Sequence, residues 1–231
     1  GYLIGYQALA GVFSIQRQYT GKLQLKKMSM DTGMTKGNDC YSLKGAKYGV
    51  YSDPDCRTQV AILTTKEDGT TDAEELTSGK YYIKELSAPE GYALDSKKYT
   101  ADVTAGSTEV VNVKDYPQSA AVRFLLEKED ARTGEKEAQG NAVFADAEFT
   151  VRYYKGLYDT DPAKQGITPA RTWVMKTNES GKAALTDSFK ISGDSFYKNS
   201  DGENVLPLGT VTIQETKAPK GYLLNREVFI R

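Results

Sequence analysis

Tyr81-Tyr82-Ile83-Lys84-Glu85-Leu86-Ser87-Ala88-Pro89-Glu90-Gly91-Tyr92 has a second copy in the chain, Val211-Thr212-Ile213-Gln214-Glu215-Thr216-Lys217-Ala218-Pro219-Lys220-Gly221-Tyr222. In each copy an aromatic or β-branched residue, an Ile and a Glu fall on alternate positions. The period of two in a strand therefore aims the glutamate into a packed sheet face. A carboxylate buried there alone is costly, so a partner or a task is expected for it. An Ala-Pro-x-Gly-Tyr turn closes both copies.

A lysine lies upstream of each glutamate. Leu23, Leu25 and Lys27 share one face of a strand, and Val122, Phe124, Leu126 and Lys128 share one face of another. Each half of the chain thus has an apolar strand face ending in an inward lysine and another ending in an inward glutamate. This is an internal repeat, and it sets the domain count before any other feature does.

Taken together, the opening apolar-x-apolar-x-Lys, the strand Gly45-Ala46-Lys47-Tyr48-Gly49-Val50 and the Glu-x-x-Ala-Pro-x-Gly-Tyr box resemble Cna B-type, SpaA-like domains. These are the prealbumin-like β-sandwich modules of Gram-positive collagen adhesins and sortase-assembled pilins. The resemblance covers residues 21–117 well and 119–231 in part. It implies an all-β chain of tandem, Ig-like sandwiches. The expected division is 1–20 as the end of a preceding domain or a docking segment, 21–117 as the first module and 118–231 as the second.

The totals agree with that reading. A chain of 231 residues accommodates two ordinary domains. With 39% hydrophobic and 26% charged residues and a net charge of -1, it gives no reason to expect nucleic acid or an anionic membrane surface as partner. Histidine is absent, which removes the usual general base and the commonest metal ligand. No metal or cofactor is expected, and no turnover enzyme. Cys40 and Cys56 are the two cysteines, outside any C-x-x-C pattern; a disulfide between them and two free thiols are both open. Residues 1–15 are apolar but too short to span a bilayer. The chain reads as an excerpt of a longer surface protein.

Along the first repeat, strands are expected at residues 22–27, 46–51, 59–64, 81–85, 99–103 and 109–115, and the near-regular spacing argues a β-sandwich. Asp68-Gly69 signals a turn. Tyr116-Pro117-Gln118-Ser119 is a short linker that permits limited bending. In the second repeat, residues 149–154 and 173–176 match the strands at 46–51 and 59–64, with enlarged loops at 155–171 and 192–203. From Glu85 to Asp115 is 30 residues and from Glu215 to Arg231 is 16, so the second module is expected to lack its closing strand.

In the resembled family, a first-strand lysine condenses with a last-strand Asn or Asp into an intramolecular isopeptide bond, assisted by the box glutamate. Elementary chemistry permits this. An amine removed from water can exist in its neutral, nucleophilic form, and a buried carboxyl can polarise a carbonyl and pass protons. Holding the groups in contact supplies effective molarity. The resemblance assigns Lys27 and Lys128 as the amines and Glu85 and Glu215 as the assisting acids. For the first module the electrophile is Asp115, on the core phase with Val111 and Val113, or Asn112 if a bulge inverts that phase. For the second, none is visible before Arg231. The alternative is an ion pair in each core without a bond, or a lysine that snorkels to solvent.

Two functions are compatible with this pattern. One is a stalk module of a cell-wall-anchored, extracellular adhesin or pilus-like protein, partnered by neighbouring domains of its own polypeptide. Tyr116-Pro117-Gln118 has glutamine where pilin shafts of this group carry a linking lysine, and no Leu-Pro-x-Thr-Gly sorting signal is present. The other is a binding module that recognises host matrix protein or glycan through the enlarged loops, with Trp173 either at that surface or, as is more common for tryptophan, in the core.

Overall fold

The computed structural model of the protein describes residues 19–122 and 125–231. The expectation for residues 1–20 therefore lies outside the described residues apart from the last two, and so does the placement of Phe124.

The first repeat contains β1 (Thr20–Ser29), β2 (Lys47–Tyr51), β3 (Gln59–Thr64), β4 (Glu74–Thr77), β5 (Gly79–Ser87), β6 (Lys98–Val103) and β7 (Thr108–Asp115). They form two sheets, ordered β4-β1-β7 and β3-β2-β5-β6. Alternation drives this arrangement: Leu23, Leu25, Tyr48, Val50, Ile83 and Val113 point inward and are wholly buried between the sheets. The strand at 74–77 is absent from the sequence reading because its one core residue, Leu76, stands among Glu74, Glu75 and Thr77. The first and last strands run side by side and parallel, with Ser29 opposite Asp115 and Lys27 opposite Val113.

The second repeat contains β8 (Ser119–Ala121), β9 (Leu126–Glu127), β10 (Glu148–Tyr154), β11 (Arg171–Lys176), β12 (Lys182–Ala183), β13 (Lys190–Gly193), β14 (Tyr197–Lys198), β15 (Asn204–Pro207), β16 (Thr210–Lys217) and β17 (Val228–Ile230). Its main sheet is ordered β13-β11-β10-β16-β17, and β14-β15-β8 and β12-β9 make the opposing layer. The match to the first repeat extends to register. Phe149 pairs with Glu215 as Tyr48 pairs with Glu85. Likewise Lys128 N–H donates to Gly181 O as Lys27 N–H donates to Gly69 O, both at 2.8 Å. Among the described residues, no strand pairs with β8 or β9 on the side that β7 takes beside β1.

The polar loop after β1 carries α1 (Thr32–Thr35), capped by the Asp31 carboxylate, which accepts the Met34 N–H at 3.2 Å. This loop crosses to the other repeat. Met34 is buried in the second hydrophobic core with Val151 and Tyr153. Tyr41 Oη donates to Gln118 O at 2.6 Å and accepts from Leu208 N–H at 2.8 Å. The linker is pinned too, since Gln118 N–H donates to Gly91 O at 2.7 Å and Ala93 N–H donates to Tyr116 O at 3.0 Å. Gly91 lies at φ +79°, and a Cβ there would meet Cys40 O at 2.4 Å, which explains the glycine of the box.

Candidate functional site

At the end of β1, Lys27 is 1% exposed and turns into the first core, because alternation from Leu23 and Leu25 leaves it no other face. β5 brings Glu85 and β7 brings Asp115 to the same point, each also 1% exposed. Lys27 Nζ donates to Glu85 Oε1 at 2.8 Å and to Tyr48 Oη at 2.6 Å, and it makes a close ion-pair contact with Asp115 Oδ2. Glu85 Oε2 is held by the backbone N–H of Asp95 at 2.7 Å. Asp95 in turn accepts from Tyr99 Oη at 2.7 Å.

Two acids and one amine therefore share a dry pocket. Burial is the largest influence on Asp115 and raises its carboxyl to about 6. The Lys27 amine opposes that rise, and the neighbouring Glu85 reinforces it. Among the described residues neither Asp115 oxygen has a hydrogen-bond partner, apart from the ion-pair contact of Oδ2. An acid so placed is pushed toward its neutral form, the form in which its carbon is open to an amine. Burial also raises the Tyr48 phenol, helped by the Asp115 and Glu85 charges, so Tyr48 stays protonated.

Asn112 is elsewhere. It pairs with Lys26 on the exposed phase of β7, and the β1–β7 register runs without a bulge from Lys22–Thr108 to Ser29–Asp115. Of the two candidate electrophiles, Asp115 is the one beside Lys27.

The second repeat builds half of this site. Lys128 Nζ donates to Glu215 Oε1 at 2.8 Å, and Glu215 Oε2 accepts the Asn225 N–H at 2.7 Å, as Glu85 accepts that of Asp95. The Lys128 side chain keeps 14% of its surface exposed, against none for Lys27. A groove of about 580 Å³ opens beside it, lined by Leu126, Phe149, Ile213, Tyr222 and Phe229.

Cys40 and Cys56 are free thiols, not a bridge. Cys40 is buried against Tyr41 and Tyr92, whereas Cys56 sits in the turn that follows the far end of β2. Five residues of strand, at roughly 3.3 Å each, keep them well beyond disulfide reach. Trp173 is wholly buried in the second core and its indole N–H donates to Ser195 O at 3.3 Å, so it offers no surface to a ligand. The loop at 155–171 is tied back by Tyr158 N–H, which donates to Thr210 Oγ1 at 2.8 Å. Lys155 Nζ reaches Lys36 O of the first repeat.

The sequence alone does not single out Tyr48 or Asp95. A tyrosine on the core face of a strand reads as packing, and the role of Asp95 lies in its backbone N–H, which no residue identity announces.

Comparison with known proteins is consistent with the duplicated architecture. The family profile of SpaA, described as a prealbumin-like fold domain, matches residues 21–117 and 130–230. The trypsin-resistant surface T6 protein of Streptococcus pyogenes serotype M6 is 29% identical over 171 residues, which is 73% of this chain and 26% of that protein. The Bacillus anthracis TIE protein superimposes with a TM-score of 0.56 at 25% identity, over 92% of this chain and 31% of that one. The chain thus spans about a third or less of either relative.

Proposed function

The chain belongs to the SpaA family of prealbumin-like domains, and on that premise we propose that it is a stalk segment of a Gram-positive surface protein of the pilin or adhesin kind. In this reading the first repeat welds its outer strands by an isopeptide bond between Lys27 and Asp115. The observation that carries it is the sealed cluster in which Lys27 Nζ touches Asp115 and Glu85 with no exposed side-chain surface on any of the three.

The chemistry is a condensation. Once the ammonium of Lys27 has passed a proton to the Asp115 carboxylate across their contact, the freed amine attacks Cγ of the resulting carboxyl, forming the N–C bond. Glu85 Oε1, already facing the nitrogen at 2.8 Å, takes the proton that the nitrogen sheds. It returns that proton to the Asp115 hydroxyl, which departs as water while the carbonyl re-forms. Glu85 ends as it began, and the step runs once per chain. The buried contact supplies the effective molarity that an amide-forming step in water lacks. The raised Asp115 carboxyl supplies the neutral electrophile.

Lys128 and Glu215 form the matching half-site of the second repeat, and in this reading they serve a strand carrying its own Asp or Asn. The domain division at residue 117 follows the same logic, with β7 ending one repeat and β8 opening the next.

Intact mass tests the proposal. The 231-residue chain is expected to weigh one water less than its sequence, and Lys27→Ala and Asp115→Ala chains to weigh their full sequence mass. A wild-type chain of full mass, with the cluster buried and folded, would rule the bond out.

A further inference from the structure

We propose that the Tyr48 hydroxyl is a fourth working group of the first-repeat condensation, which positions the attacking amine. This inference rests on the isopeptide reading above and adds to it a residue whose removal changes the rate, not the endpoint.

The argument is geometric. Among the described residues, Lys27 Nζ has three polar neighbours: Tyr48 Oη at 2.6 Å, Glu85 Oε1 at 2.8 Å and Asp115 Oδ2 in close contact. A neutral amine carries two N–H bonds and one lone pair. Glu85 Oε1 accepts one N–H, and its other oxygen is occupied by the Asp95 N–H. If Tyr48 Oη accepts the second, the lone pair is left facing Asp115, which is the orientation attack requires. Without the hydroxyl, the second N–H has only Asp115 to turn to, and the lone pair swings away from the carbon. Tyr48 is itself fixed, wholly buried on β2 directly opposite Glu85. Its phenol cannot compete as a base, because burial and two flanking carboxylates hold it protonated.

The second repeat provides an internal contrast. Phe149 stands at the matching place, opposite Glu215, with a ring of similar size and no hydroxyl. The ring therefore serves packing in both repeats, and of the two positions Tyr48 is the one that adds a hydroxyl beside the lysine.

The test is a time course. The full chain and its Tyr48→Phe variant are made by cell-free translation, synthesis is stopped, and intact mass is followed at several pH values between about 6 and 8. One positioned hydrogen bond corresponds to roughly a tenfold change in rate. Tyr48→Phe is expected to lose its water about tenfold more slowly, by the same factor at each pH, and to reach the same final mass. The deficit should persist in about 1 M sucrose, which restores a fold that is merely weakened. Equal rates, or a deficit that sucrose abolishes, overturn the assignment of Tyr48 and leave the bond standing. A wild-type chain that never loses water removes the bond and this inference with it.

Discussion

Asn38, in the loop after the first strand, donates through Nδ2 to the Tyr153 hydroxyl of the second repeat at 2.9 Å and to Leu208 O at the same distance. Both acceptors lie more than a hundred residues away in sequence, so this amide joins two sandwiches. Met34, one helical turn earlier, is buried in the core of the other repeat. The joint is a plug, with one repeat supplying part of its neighbour's interior.

Met34→Ala is therefore expected to loosen the repeat that it does not belong to. Truncating a buried methionine costs about 2 to 5 kcal/mol. Hydrogen exchange should accelerate at β10 and β16 amides more than at β2 and β5. Equal protection in both repeats would argue against the plug.

Asp115→Ala isolates the cross-link, since Lys27 keeps its 2.8 Å pair with Glu85. The bond would close a loop from residue 27 to residue 115, so its loss should cost on the order of 4 to 5 kcal/mol by analogy with disulfides of similar loop length. The midpoint in urea of the first-repeat transition is the measurement. A shift no larger than that of an ordinary surface substitution would contradict the weld.

Acid should stabilise a first repeat that lacks its amine. In Lys27→Ala, burial and Glu85 raise Asp115 with no cation to oppose them, so its folded pKa lies above the value of about 6 found with the lysine present. The folded state then binds the proton more tightly than the unfolded chain. Stability is thus fully present below the unfolded carboxyl value of about 4 and falls as pH rises toward and through the folded value. Melting temperature should decline from pH 4 to pH 8 more steeply in Lys27→Ala than in Lys27→Ala/Asp115→Asn. Parallel curves would show that Asp115 is not the group responsible.

Lys128→Ala should leave the mass deficit of the 231-residue chain untouched, because among the described residues no acid stands beside that lysine except its Glu215 partner. A deficit of two waters in wild type, falling to one in this variant, would place an electrophile that the site geometry does not.

Much of this was legible because strand faces have a period of two. The same alternation that sends Leu23 and Leu25 inward delivers Lys27, and the one that sends Val113 inward delivers Asp115 in preference to Asn112. The box glycine was legible as a turn signal. The loop after β1 is not: Asp31, Thr32, Gly33, Asn38 and Asp39 show no apolar alternation, and the groups that make Asn38 a buried residue belong to Tyr153 and Leu208. Polar residues satisfied at long range carry no local pattern. For the same reason the hydroxyl of Tyr48 is hidden inside an ordinary aromatic core position.

Parallel pairing of β1 and β7 sets how the first repeat meets tension. The chain enters at Thr20 and leaves at Asp115, at opposite ends of two strands lying side by side. Traction on the two exits slides one strand along the other and strains the whole ladder at once; it cannot peel the bonds off singly. With residue 27 tied to residue 115, the stretch between them would contribute no slack, and a fibre built from such units would behave as a strap of fixed length.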